Sequence, residues 1–245
     1  MTDRIPPPTS HLTPDTSAQA TRPFIHTFLA APLSGPAIEQ RSFEIIDREA
    51  GDHGFPPDQW EVVRRMIHTT GDLALAQAVR FTPDAIASGV KALRAGAPVF
   101  VDANMIRAGL SLERLRQANS GYGRDHIHCH VADADVADEA ARTRLPRSLF
   151  AIRKARPLLE GGIAAFGNAP VALLELNRMI LEDGIRPALV IGMPVGFVHV
   201  EESKEELLSI PVPSILVAGR RGGSTLAVSA VHALCTIAAR GEEAS

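Results

Sequence analysis

A histidine flanked by two arginines is the group in this chain best suited to move a proton. Arg64, Arg65 and His68 lie in a segment with helical periodicity, where spacings of three and four residues place them on one face. A histidine changes charge near neutral pH and can act as a general acid or base. The arginines would hold an anionic substrate beside it. A surface histidine near the end of a helix fits the same pattern, and the spacing leaves both interpretations open.

A glycine-rich turn with two arginines follows the last apolar run. The segment 219–224 (GRRGGS) precedes a long helical stretch, so free N–H groups, the helix dipole and two guanidinium groups would meet there. This combination favours a carboxylate or a phosphate. The spacing matches neither the Walker phosphate loop nor the GxGxxG dinucleotide fingerprint, so ATP and NAD are unsupported. A capped helix with two solvated arginines is the alternative.

Three further loops follow apolar runs and contain polar or glycine residues. Asp102 leads into a segment that contains Arg107, and Asn168 looks like a helix N-cap with Pro170 in the first turn. The segment 192–197 (GMPVGF) carries glycines, which allow a ligand to approach the backbone closely. Sites in α/β proteins form from loops at the carboxyl ends of strands. We therefore expect all three loops to contribute to a site, although an ordinary tight turn also explains 192–197.

Three histidines alternate along one predicted strand, which would place their side chains on one face. His126, His128 and His130 would spread over about 13 Å, because each strand residue rises about 3.3 Å. One ion cannot collect all three, so we expect no metal site. Cys129 and Cys235 both lie in apolar runs and are expected to be buried thiols, with no role in a disulfide or a metal site.

Five short apolar runs, each followed by a helical stretch, would position these groups. Strands that alternate with helices predict a parallel sheet, and continuous apolar runs indicate a sheet covered on both faces. We predict an α/β fold with a doubly wound, flavodoxin-like, five-stranded parallel sheet and additional N-terminal helices. The predicted strands are 98–102, 126–131, 162–166, 188–192 and 214–219.

The composition predicts a globular protein that binds neither nucleic acid nor a membrane. A chain of 245 residues can bury one sizeable core, and a net charge of −3 with 4% aromatic residues disfavours nucleic-acid binding. Residues 1–35 are rich in Pro and Thr and are predicted to form a flexible extension, followed by one α/β domain over 36–245. Neither a signal peptide nor a membrane span is recognisable, which predicts a cytoplasmic location.

Six segments resemble the precorrin-8X methylmutase (cobalt-precorrin-8 methylmutase) family of the cobalamin pathway. The resemblance implies a flavodoxin-like fold, a homodimer and an isomerase that needs neither a cofactor nor a catalytic metal. The implied reaction moves a methyl group from C-11 to C-12 of a corrinoid, turning precorrin-8X into hydrogenobyrinate or cobalt-precorrin-8 into cobyrinate. The segments are 41–46 (RSFEII), 65–72 (RMIHTTGD), 95–110 (AGAPVFVDANMIRAGL), 166–170 (FGNAP), 187–207 (PALVIGMPVGFVHVEESKEEL) and 219–234 (GRRGGSTLAVSAVHAL).

The resemblance also implies roles for individual residues. His68 matches the family's catalytic histidine, which protonates a ring nitrogen or its neighbour and so allows a sigmatropic methyl shift. Ser42 and Arg147 match polar residues of the same pocket, and Ser111 falls where the family often has Ser or Thr. The substrate's acetate and propionate arms require spread-out cations and N–H donors, and the rearrangement requires mainly orientation and one proton. The predicted binding residues are Ser42, Arg41, Arg64, Arg107, Ser111, Arg147, Asn168, Gly192, Pro194, Gly196, Arg220, Arg221, Gly222 and Ser224.

Some features depart from the family pattern or stay open. His232 stands where the family usually has Asn, and the loop 119–125 and the long extension are individual to this chain. The sequence does not distinguish a cobalt-free from a cobalt-containing substrate, or a site within one subunit from a shared one. The alternatives to the isomerase are a non-catalytic corrinoid carrier or scaffold of the same pathway, and a nucleotide-binding α/β protein.

Overall fold

The computed structural model describes residues 23–241. In this range the helices are α1 Ile25–Ala30, α2 Gly35–Ala50, α3 Pro57–Thr70, α4 Ala85–Arg94, α5 Asn104–Gly109, α6 Leu112–Ala118, α7 Ala134–Thr143, α8 Arg147–Lys154, α9 Arg156–Leu159, α10 Pro170–Asp183, α11 Val200–Ser209 and α12 Ser224–Ala239. The strands are β1 Val79–Phe81, β2 Val99–Val101, β3 Ile127–His128, β4 Ile163–Phe166, β5 Leu189–Gly192 and β6 Ser214–Val217. Short 3-10 helices cover Leu73–Gln77 and Arg124–His126.

The chain divides into two units, each with its own internal packing. The first unit ends at Arg41 and contains α1 and the first part of α2. The second unit begins at Ser42 and contains the rest of α2, all later helices and the whole sheet. Most of the predicted extension over 1–35 lies outside the described residues. Its flexible character and the single domain over 36–245 therefore stay predictions.

The sheet has six strands in the order β1-β6-β5-β4-β2-β3. All neighbouring strands are parallel except β1, which runs antiparallel to β6. The five parallel strands are the five predicted ones, and their order corresponds to the 2-1-3-4-5 order of flavodoxin-like folds. The predicted fold class is confirmed, and the number of strands is corrected to six. The short strand β1 escaped prediction because its central residue, Arg80, is exposed and interrupts any apolar run.

Alternate residues of the parallel strands pack into two cores, one on each face of the sheet. Val101 and Ile191 belong to the first core, together with buried residues of α3, α4, α6 and α12. Phe100 and Val190 belong to the second core, together with buried residues of α8, α9, α10 and α11. Helices on both faces make the sheet doubly wound, and the carboxyl ends of its parallel strands meet along one edge. Among the helices of residues 23–241, none is long and apolar enough to cross a membrane.

The carboxylate of Asp102 joins two strand ends at the point where the strand order reverses. Asp102 follows β2 and is only 2% exposed. Its Oδ1 accepts the N–H of Gly167 at 2.9 Å, and its Oδ2 accepts those of Asn168 and Ala169 at 2.9 and 2.6 Å. Burial raises the pKa of Asp102, although these N–H groups act in the opposite direction. The predicted N-cap at Asn168 is wrong, because Ala169 is the N-cap of α10 and the remote carboxylate satisfies the N–H groups.

We expect Asp102→Ala to lower the free energy of unfolding by about 3 kcal/mol, because each buried N–H group that loses its acceptor costs about 1–3 kcal/mol. Chemical denaturation followed by circular dichroism at neutral pH measures this change. Asp138 of α7 is exposed, and Asp138→Ala serves as the matched control with an expected change below about 0.5 kcal/mol. Similar small changes in both variants would contradict the role assigned to Asp102.

Candidate active site

His68 lies near the end of α3, half-buried, with a hydroxyl group at one ring nitrogen. A hydrogen bond of 2.7 Å joins its Nδ1 to Oγ of Ser42 on α2. The ring edge meets Phe43 at a centroid distance of 5.4 Å and an interplanar angle of 67°. Within residues 23–241, Nε2 of His68 has no hydrogen-bond partner. The ring is therefore held on one side, and Nε2 is left to exchange a proton with another group.

The two arginines before His68 lie against the ring of Phe43. The Cζ atom of Arg64 is 4.6 Å from the ring centroid, and that of Arg65 is 5.3 Å from it. Arg64 also forms an ion pair of 2.8 Å with Asp47 of α2. The structure therefore brings Ser42, Arg64 and His68 together around Phe43. Sequence reasoning did not single out this phenylalanine, although it directly follows Ser42 in the segment that carried the resemblance.

A cleft of about 270 Å³ opens beside this group, between α3, α5 and α12. His68 is not part of its wall, but Arg65 and Thr69 on either side of it are. The wall contains a guanidinium group, hydroxyl groups, the imidazole of His232 and apolar side chains. Such a wall suits a ligand whose carboxylate is attached to an apolar group. The lining residues are Arg65, Thr69, Met105, Gly109, Ser224, Thr225, Val228, Ser229 and His232.

The glycine-rich turn packs directly on the loop that follows β5. We call residues 219–223 the arginine loop. The N–H of Gly223 donates to the carbonyl oxygen of Met193 at 2.8 Å. A Cβ at Gly222 would lie 2.3 Å from the carbonyl oxygen of Met193 and 2.5 Å from that of Pro194, so only glycine permits this approach. Gly222 and Pro194 therefore shape the two loops where they meet.

Both arginines of the arginine loop have acidic partners. Arg220 lies over the ring of Phe197 at 5.4 Å and pairs with Glu201 at 3.1 Å. Arg221 pairs at 3.1 Å with Asp72, which lies two residues beyond the end of α3. The arginine loop is thereby connected to the helix that carries the catalytic candidate.

Apolar side chains are exposed at the carboxyl edge of the sheet. We call residues 193–199, which follow β5, the apolar loop. Its Phe197 is 83% exposed and its Val198 is 71% exposed, and Met105 at the start of α5 is 68% exposed. Gly196 of this loop has φ +139°, a conformation that favours glycine. The edge therefore combines apolar surface with the guanidinium groups of the neighbouring loop, as a flat apolar ligand with carboxylate arms requires.

Arg107 lies on α5 and Ser111 follows it, and neither is among the residues that line the cleft. The hydroxyl of Ser111 caps α6 by accepting the N–H of Arg114 at 3.4 Å. The backbone N–H of Ser111 donates to Nε2 of His232 at 3.0 Å, which links α12 to the start of α6. Arg107 is exposed on α5. Their contact with a substrate stays a prediction, as it does for Ser224, which is buried at the start of α12 and lines the cleft.

Four other predicted binding residues are not among the residues that line the cleft. Gly192 is buried in β5, and Asn168 is exposed after β4. Arg147 begins α8, whose buried residues pack in the core on the opposite face of the sheet from α3. Arg41 is exposed on α2, in the first unit. His68 and Arg147 therefore lie on helices that cover opposite faces of the sheet. That both residues line one substrate pocket stays a prediction.

The alternating histidines at 126, 128 and 130 have different surroundings. His130 pairs with Asp133 at 2.9 Å, while the pKa of His128 is lowered by burial and by its neighbours His130, His126 and Arg107. In the described range no group of three or more His, Cys, Asp or Glu side chains is arranged to hold a metal ion.

Sequence reasoning missed the buried Lys204 of α11. Its Nζ donates to the carbonyl oxygens of Gly219 at 2.8 Å and Arg221 at 2.7 Å. A signal was present, because Val200, Lys204 and Leu207 recur at the spacing of one buried helix face. A lysine at an apolar position is expected to have an internal partner.

The chain is similar to several known proteins over most of its length. The family model for precorrin-8X methylmutase matches residues 37–237. A cobalt-precorrin-8 methylmutase from Leptospira interrogans is 45% identical over 217 residues, which are 85% of this chain and 96% of that protein. A precorrin-8X methylmutase from Pseudomonas aeruginosa is 41% identical over 204 residues, covering 82% and 95% of the two chains.

A solved structure is also similar. The crystal structure of the precorrin-8X methyl mutase from Thermus thermophilus superimposes with a TM-score of 0.78 at 48% identity, covering 84% of this chain and 98% of that one. The sequence match and the structural match both span most of the described residues. The chain therefore belongs to the precorrin-8X methylmutase family, isomerases of cobalamin biosynthesis.

Proposed function

We propose that this isomerase moves a methyl group from C-11 to C-12 of precorrin-8X or cobalt-precorrin-8, with His68 as the proton donor. The hydrogen bond of 2.7 Å between Ser42 Oγ and His68 Nδ1 carries this proposal. In a protonated imidazole both ring nitrogens carry a proton, so Nδ1 donates to the serine oxygen and Nε2 carries the second proton. The protonated ring can therefore donate from Nε2, the nitrogen that has no protein partner within the described range.

The proton acts as a catalyst in this scheme. The methyl–C-11 bond breaks and the methyl–C-12 bond forms within one molecule, so the product contains the atoms of the substrate. Protonation of a ring nitrogen or its neighbour withdraws electrons from the conjugated ring and lowers the barrier to migration. After the methyl group has moved, the protonated position loses its proton to His68, so the reaction consumes no proton overall. The remaining task of the protein is to orient the ring.

The carboxyl edge of the sheet has the chemistry that the substrate requires. Arg65 in the cleft wall and Arg220 and Arg221 in the arginine loop can receive carboxylate arms. Met105 and Phe197 offer exposed apolar surface to the ring face. The cleft of about 270 Å³ is smaller than the roughly 300–1,000 Å³ that enclose a drug-sized ligand. The macrocycle therefore extends beyond the cleft and across the apolar loop.

We also propose that the protein works as a homodimer, as the resemblance implies. A cleft smaller than the ligand and exposed apolar side chains such as Phe197 and Met105 support a second copy that covers the rest of the macrocycle. Arg147 lies on a helix of the opposite face and would then serve the site of the second copy. The cytoplasmic location stays a prediction.

We expect purified protein to convert precorrin-8X or cobalt-precorrin-8 without an added cofactor, which the change in visible absorption measures. His68→Ala should bind the corrinoid product with similar affinity while kcat falls about 10²–10⁴-fold, the usual contribution of a general acid. The exposed His26 of α1 provides the control variant His26→Ala, with kcat unchanged. Wild-type turnover in His68→Ala would contradict the proton-donor role. Product binding without turnover in the wild type would favour the carrier protein.

Ser42→Ala should lower kcat about tenfold and leave KM nearly unchanged, because the imidazole loses the hydroxyl that orients its proton. Ser42→Thr keeps the hydroxyl and should recover most of kcat. Steady-state kinetics with the same substrate compares the two variants. Equal losses in both would show that the size of the side chain, and not its hydroxyl, matters here.

The homodimer is tested by sedimentation and by mixing two inactive variants. If Arg147 of one subunit serves the other subunit's site, dimers that combine His68→Ala with Arg147→Ala have one intact site. Random re-association of equal amounts should then recover roughly a quarter of wild-type activity, since half of the dimers are mixed and one of their two sites is intact. A monomer, or mixed dimers without recovery, would overturn the shared site.

A further inference from the structure

We propose that Lys204 is a positioning residue that holds the arginine loop in the shape needed for substrate binding, an inference that rests on the proposed function. Lys204 is 1% exposed, although lysine is among the residues that are rarely buried. Val200 and Leu207 flank it on the buried face of α11. A methionine of similar length would fill this space without the cost of burying an amine. The presence of an amine therefore requires a reason in its contacts.

Those contacts are two carbonyl oxygens of the arginine loop. Nζ of Lys204 donates to Gly219 at 2.8 Å and to Arg221 at 2.7 Å. The two carbonyl groups belong to the peptide units 219–220 and 221–222, so these two units are turned toward α11. The carbonyl group between them, that of Arg220, accepts the N–H of Gly196 at 3.4 Å. Backbone direction in a short glycine-containing loop is otherwise weakly determined, because glycine has many accessible conformations. Lys204 thus supplies the constraint that the loop's own sequence lacks.

The loop is held on its other side by the backbone that follows β5. Gly223 donates its N–H to Met193, and Gly222 lies against the carbonyl oxygens of Met193 and Pro194. Neither the hydrogen bonds of Lys204 nor the backbone contacts of Gly222 and Gly223 involve an arginine side chain. The side chains of Arg220 and Arg221 are consequently left at the surface, 59% and 55% exposed.

The position of the loop also sets its link to the catalytic helix. Arg221, whose carbonyl group binds Lys204, pairs through its guanidinium group with Asp72 just beyond α3. Asp72 is itself fixed, because its other carboxylate oxygen accepts the N–H of Ala74 at 2.9 Å. A shift of the arginine loop would therefore move a guanidinium group away from the end of the helix that carries His68. A carboxylate arm bound there would lose its partner.

The hydrogen bonds of Lys204 matter more than its charge. Burial lowers the pKa of Lys204 to about 8, although the nearby Glu201 carboxylate acts in the opposite direction. A neutral amine still has two N–H donors, which is the number that the two carbonyl groups require. The hydrogen bonds to the arginine loop therefore persist whether the amine is charged or neutral. Glutamine can therefore distinguish the two roles of Lys204. Its amide partly replaces the hydrogen-bond donors of the amine, but it cannot replace the positive charge.

The first test compares Lys204→Met with Lys204→Gln. We expect Lys204→Met to raise KM about tenfold with kcat changed less than about twofold, because the loop binds substrate and does not move the proton. Lys204→Gln should recover a substantial part of the loss, since its amide can donate to the same carbonyl groups. Lys91 is exposed on α4, and Lys91→Met serves as the control with both constants unchanged.

The second test is a double-mutant cycle with Arg221→Ala. If Lys204 acts through Arg221, Lys204→Met should raise KM less than about twofold in the Arg221→Ala background. A general loss of stability would raise KM by the same factor in both backgrounds and would overturn the proposal. A fall in kcat at unchanged KM would overturn it as well. Should Lys204→Met not fold, Lys204→Gln enters the same cycle.

Hydrogen exchange separates this proposal from the proposed reaction. Faster amide exchange over 219–224 in Lys204→Met than in wild type, with α4 unchanged, supports the positioning role whether or not the wild type turns over either corrinoid. Unchanged exchange over 219–224 contradicts it. An inactive wild type with the expected exchange pattern would refute the reaction and leave the contact between α11 and the arginine loop established.

Discussion

The hydrogen bonds between Asp102 and the start of α10 fill the place where flavodoxin-like folds usually bind their ligands. Ligands of such folds occupy the crevice where the strand order reverses, and helix N-termini there favour phosphate. Here a protein carboxylate accepts the N–H groups of residues 167–169. A Cβ at Gly167 would lie 2.6 Å from Cα of Ser224, so the same backbone also supports the start of α12 and the cleft wall. The crevice is closed to a nucleotide phosphate, which argues against the nucleotide-binding alternative, and the candidate site lies beside it.

The candidate site is electrostatically balanced before any substrate is bound. Arg64 pairs with Asp47, Arg220 with Glu201 and Arg221 with Asp72. Each pair is partly exposed, so it contributes little to stability and can be exchanged for a ligand carboxylate at small cost. If these arginines bind the substrate as proposed, one with many acidic arms would make many such exchanges, and specificity would depend on the spacing of the arms. Single carboxylates gain little from this surface, which suits a large polyanionic ring better than a small acid.

The sequence predicted the fold better than it predicted the contacts of the site. Parallel strands buried on both faces appear as continuous apolar runs, so all five were recognisable, whereas β1 was hidden by its exposed Arg80. The bond between Ser42 and His68 spans 26 positions and two helices, and only the family resemblance suggested that they share a pocket. The N-cap of α10 was assigned to Asn168 because cap rules consider only nearby residues. They contain no information about Asp102, whose carboxylate accepts these N–H groups from 66 positions earlier. Lys204 was readable from helical spacing and was overlooked because lysines are usually solvated.

The contact between Gly222 and the backbone after β5 has a consequence for motion. With two carbonyl oxygens within 2.3 and 2.5 Å of where a side chain would begin, the arginine loop has no room to slide past its neighbour. The hydrogen bond from Gly223 to Met193 fastens the same junction. The two loops are therefore coupled at Gly222 and Gly223, where one loop cannot move without displacing the other. If the macrocycle binds at this edge as proposed, Phe197 and Arg221 would reach it together, so that the apolar and the ionic contacts would form and break in the same step.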